Sequence, residues 1–136
     1  MEINYTKDET IKLIEEYYRK FEEREVKASI TVKKDLVGIY EEEGCVTTIC
    51  VSEEIEIAGM KKIIKETITE AELKKKFKAL FSGYSFDLKS LTINSGLNSR
   101  LEGFGMAEHE VKSAYFRGIT INVDKKKEHV YTMMGR

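Results

Sequence analysis

A chain of 136 residues with 41% hydrophobic and 35% charged side chains has the size and make-up of one folded domain, expected to span 1–136. A formal net charge of −1 fits neither the basic surface of a dedicated DNA binder nor the strongly acidic one of a nucleic-acid mimic, so direct nucleic-acid binding is not expected. No apolar run approaches the roughly 18 residues a membrane helix needs. The opening Met1-Glu-Ile-Asn-Tyr5 has no basic stretch leading into an apolar one, so a cytoplasmic protein without membrane contact is the expectation.

Thr6 and Glu9 have the spacing of a capping box, and Ile11, Ile14, Tyr18 and Phe21 follow at helical intervals, which predicts a helix over 7–24. At Val26 the period drops to two. Val26, Ala28, Ile30 and Val32 alternate with polar residues as in a half-buried strand. Lys34-Asp35 reads as a turn and 36–40 as a second strand. Glu41-Glu42-Glu43-Gly44 reads as a hairpin turn, and Cys45 to about Ser52 as a third strand that either runs on through Ile55 and Ile57 or breaks at Glu53-Glu54. The two cysteines, five residues apart, point to opposite faces of such a strand and neither pair nor share a metal. Ala58-Gly59 is a turn and Met60 to Ile68 a fourth strand.

Thr69 and Glu72 repeat the capping spacing. Leu73, Phe77, Leu80 and Phe81 form one stripe, so a helix is predicted over 70–82, ended by Gly83 in a left-handed conformation. Strands follow at 86–93 and 115–123, the latter with Tyr115, Ile119, Ile121 and Val123 on one face. A turn at 124–127 and a short return over 129–133 complete the chain. Strands come in runs, so the fold class is α+β, a mainly antiparallel sheet of about five to seven strands with two helices on one face.

Between the strands at 86–93 and 115–123 lies 94–105, with three glycines, two asparagines, two serines and an arginine. As a loop it carries the parts of an anion nest. Glycines permit positive φ, Asn94 and Asn98 donate, Arg100 grips a phosphate in two places, and Arg117 and Phe104 lie close in sequence. It is not a Walker loop, because no Gly-Lys-Ser/Thr follows. Phe104, between two glycines, is the one aromatic here without a periodic position, which suits a partner anchor. Residues 35–60 hold seven acids and no Lys or Arg, so Glu41, Glu42 and Glu43 form an acidic hairpin edge. The histidines, His109 and His129, lie in no metal-ligand spacing, and both cysteines fall in a predicted core strand where a thiol is inert.

No metal, cofactor or catalytic constellation is expected. The first functional reading is a small non-enzymatic binding protein, with an inhibitor of the kind phages and mobile elements encode as its expected specialisation. It would act through the 94–105 stretch and the acidic hairpin, with a homodimer among its expected states. The alternative reading is a protein that binds or sequesters a nucleotide-like anion with Asn94, Asn98, Arg100, Phe104 and Arg117.

Overall fold

The first strand, β1 (Glu2–Tyr5), is too short for its alternation to register in the sequence. It exists because a longer strand is there to receive it. Ile3 lies opposite Ile121, and the Met1 and Val123 backbones exchange hydrogen bonds. The computed structural model describes residues 1–126. The return strand over 129–133 and the end of the turn at 127 lie outside these residues.

Helix α1 (Lys7–Glu22) starts at the expected capping box. The Glu9 amide donates to Thr6 Oγ1 at 3.2 Å, and the Thr6 amide donates to the Glu9 carboxylate at 3.0 Å. That second bond holds the Glu9 carboxyl below the usual carboxylate range. The helix stops at Glu23, which takes a left-handed conformation and turns the chain into β2 (Lys27–Val37). β2 pairs along its whole length with β3 (Glu42–Ile57), so the turn expected at Lys34-Asp35 does not form. The chain reverses instead at 38–41. Glu42 and Glu43 are therefore strand residues, and only Glu41 is in the turn. β3 runs unbroken to Ile57, and Ala58-Gly59 returns it to β4 (Met60–Ile68). Cys45 and Cys50 do lie on opposite sides of β3, as free thiols of intermediate burial.

Helix α2 (Glu70–Phe81) is capped by Thr69, whose hydroxyl accepts from the Glu72 amide at 3.2 Å. Gly83 does not close it in a left-handed conformation. Ser82 ends it with ordinary helical angles, its hydroxyl donating back to the Ala79 carbonyl at 2.7 Å. β5 (Phe86–Glu102) and β6 (His109–Lys125) then form the longest hairpin, joined through a short 3₁₀ turn at Gly105–Ala107. Asp124 and Lys125 belong to β6, not to the turn expected there.

The class is α+β with antiparallel strands. Among the described residues six strands divide into two sheets of three, ordered β1-β6-β5 and β2-β3-β4. β2 packs on β6 and β3 on β5, while the helices pack on each other, α1 on β2 and β6, and α2 on β5. The core joins all of these. Ile14 and Tyr18 of α1 and Leu73 and Phe77 of α2 meet Ile30, Ile49, Val51 and Ile68 of one sheet and Leu88, Leu91, Ile119 and Ile121 of the other. Arg24 ties the end of α1 to this frame, pairing with Glu22 at 3.2 Å, Glu53 at 2.8 Å and Glu66 at 3.2 Å.

Candidate functional site

Two bulges decide which side chains the long β5–β6 hairpin turns outward. Lys89 has no cross-strand partner, because Leu88 pairs with Val123 and Ser90 with Asn122. The inward face of β5 therefore passes from Leu88 to Leu91 and Ile93, resolving a facing that simple alternation leaves ambiguous. Arg117 is the extra residue on β6, between Phe116, opposite Ser95, and Gly118, opposite Asn94. Phe116 then packs on the core. Tyr115 does not share the face of Ile119, Ile121 and Val123 as expected; it turns to the outer side.

The stretch 94–105 is not a loop. Its residues through Glu102 are strand, and only the last three belong to the connection. Gly96 has no positive φ. Its missing side chain serves a different purpose, for a Cβ there would meet Tyr115 Oη at 3.0 Å and Arg117 Nε at 3.2 Å. Tyr115 lies over the glycine and accepts from Arg117 Nε at 2.8 Å, the guanidinium resting 5.4 Å from its ring centre.

Asn94, Asn98 and Arg100 alternate on the same outer side as Tyr115 and Arg117. Six residues of strand separate Asn94 from Arg100, about 20 Å, so they do not converge on one small anion. Asn94 and Arg100 are also engaged locally. Asn94 donates to Thr120 at 2.8 Å and Thr120 to Asn4 at 2.7 Å, while Arg100 pairs with Glu102 at 2.6 Å. Phe104 is elsewhere, at the hairpin tip, and 94% exposed.

The acidic hairpin divides as well. Glu43 binds Lys112 of β6 at 2.7 Å. The Lys112 ammonium holds the Glu43 carboxyl below the usual carboxylate range, and Glu43 raises the lysine in return. Glu41, in the turn, and Glu42, next to it, are exposed.

The residues the sequence reading missed surround these turns. Ile39 is 94% and Tyr40 86% exposed, with Leu36 also open, on the β2–β3 tip; Leu101 and Met106 join Phe104 on the β5–β6 tip. The available signal was the apolar run Leu36-Val-Gly-Ile-Tyr40, which breaks alternation at a glycine. Both tips point the same way. Thr47 donates to Ser95 at 3.1 Å, and passing from that contact to Glu43–Lys112 leads toward the turn in both hairpins. The distal segments 33–46 and 97–113 hold seven carboxylate residues against four Lys and Arg.

Two clefts lie nearer the core. One of about 320 Å³ is apolar, lined by Ile3, Tyr5, Leu13 and Phe81 among others; one of about 510 Å³, between the hairpins, is rich in threonine hydroxyls. Among the described residues no three His, Cys, Asp or Glu side chains stand close enough to hold a metal ion, and no helix is long and apolar enough to cross a membrane. The chain matches no family model, no curated protein and no solved structure.

Proposed function

We propose that this protein is a non-enzymatic binding module that grips a protein partner with the paired tips of its β2–β3 and β5–β6 hairpins. One observation carries the reading. Ile39, Tyr40, Phe104 and Met106 stand almost wholly in water at the same end of two braced hairpins, remote from the helices that bury the core. Burying such side chains against water is unfavourable to forgo and favourable to gain, at about 1.5–3 kcal/mol for each large apolar group covered. Anchors of this size at the centre of a contact, with charge around them, are how protein interfaces concentrate their affinity. The acidic residues flanking the tips, Asp35, Glu41 and Glu42 among them, suit a partner whose rim is basic. Covering a partner's working surface is sufficient for inhibition.

The test is affinity capture from a lysate of the source cells with immobilised wild-type protein and with the Ile39→Ser/Phe104→Ser variant. The expected outcome is a specific protein held by the wild type and lost from the variant, with unchanged circular dichroism. Equal recovery by both proteins rules out the tips as the contact.

A further inference from the structure

The second free surface is the edge of β4. This strand hydrogen-bonds to β3 on one side and, among the described residues, has no strand on the other. Eight of its nine residues are exposed, Ile68 alone being buried. Met60, Ile63 and Ile64 are among the large apolar groups left open, and such an edge is a template for another strand.

We infer that β4 pairs antiparallel with β4 of a second copy, with Ile64 on the twofold axis, joining two three-stranded sheets into one of six. Facing limits the choice of register. From its pairing with β3, even-numbered residues of β4 share the side of Ile68 and odd-numbered ones the opposite side. Residues directly opposed in a sheet share a face, so the twofold axis must pass through a residue, not between two. Centring on Ile63 sets Lys61 against Lys65 twice, and centring on Lys65 sets that lysine against itself. Centring on Ile64 sets Lys62 against Glu66 twice, Met60 against Ile68, and Ile63 against the aliphatic stem of Lys65. In this register Lys62 meets a carboxylate and no lysine opposes another. This inference does not depend on the hairpin tips, which lie on other turns of the chain.

Sedimentation velocity of the full chain into the tens of micromolar tests it. Wild type is expected to sediment at twice its 15.7 kDa mass. Lys62→Glu opposes two glutamates at each site and Glu66→Lys two lysines, so each variant alone is expected to weaken association by about tenfold or more. An equimolar mixture of the two restores Lys–Glu pairs at both sites and is expected to recover the dimer. Circular dichroism checks the fold, since Glu66 also pairs with Arg24, which retains Glu22 and Glu53. If Glu66→Lys does not fold, Ile64→Asp sets two carboxylates on the axis and is expected to dissociate the dimer. A monomeric wild type, a dimer indifferent to Lys62→Glu or Ile64→Asp, or a mixture of folded variants that stays monomeric overturns the inference.

Discussion

At Gly118 the backbone has φ +132°, and a Cβ there would collide with the Tyr5 carbonyl oxygen. Two penalties coincide, a conformation that L side chains rarely adopt and a clash with the residue that leads into α1. Gly118→Ala is therefore expected to cost at least about 2 kcal/mol in denaturant unfolding, more than a lost cap. Thr6→Ala, which removes the acceptor for the Glu9 amide, is expected to cost about 1 kcal/mol in the same measurement. The contrast shows what was legible at this scale. A capping box is a relation between residues three apart, and both Thr6 and Thr69 were readable. The demands on Gly96 and Gly118 come from Tyr115 and Tyr5, far away in sequence, and neither could be read locally.

Among the elements, the helices and most strand cores followed from periodicity, and the errors fell where a distant partner overrode composition. Gly, Ser and Asn disfavour strands, yet 94–102 is strand because β6 pairs with it residue by residue and Tyr115 covers its glycine. The turn at Lys34-Asp35 failed because β3 pairs straight past it. The two hairpins are tied by Glu43 and Lys112, and the sign of their coupling is fixed. Glu43 titrates lower folded than unfolded, so the tie contributes above the ordinary carboxylate range and is lost as pH falls through the lowered folded value. In an NMR titration Glu43 is expected to protonate below the ordinary glutamate range, and Lys112→Gln to return it to that range. Tyr18 behaves in the opposite sense. Burial pushes its phenol up to about 12. Its contribution is complete below the free phenol value of about 10 and declines as pH rises through the folded value. Tyr18→Phe is expected to reduce the loss of stability above pH 10, followed by unfolding at fixed denaturant across that range.

For the whole molecule, stability and the proposed contact surface reside in different places. Phe77 is fully buried where α2 meets the rest of the core, and Phe77→Ala is expected to cost about 3–5 kcal/mol. Ile39→Ser and Phe104→Ser touch exposed groups and are expected to change stability by no more than about 0.5 kcal/mol. That separation allows binding to be tested without confusing it with unfolding. It also explains why the candidate site was only half legible. Phe104 stood out because no period accounted for it, but the turn that exposes Ile39 and Tyr40 depends on the β2–β3 register. The central claim is that the tips, not the polar outer face of the β5–β6 sheet, meet the partner. The most direct measurement replaces Ile39, Phe104 or Asn122 in turn by a photo-crosslinking amino acid and irradiates the protein in its source cells. The account predicts a covalent adduct with the same protein from positions 39 and 104 and none from 122; an adduct from 122 alone, or none from the tips while the partner remains bound, contradicts it.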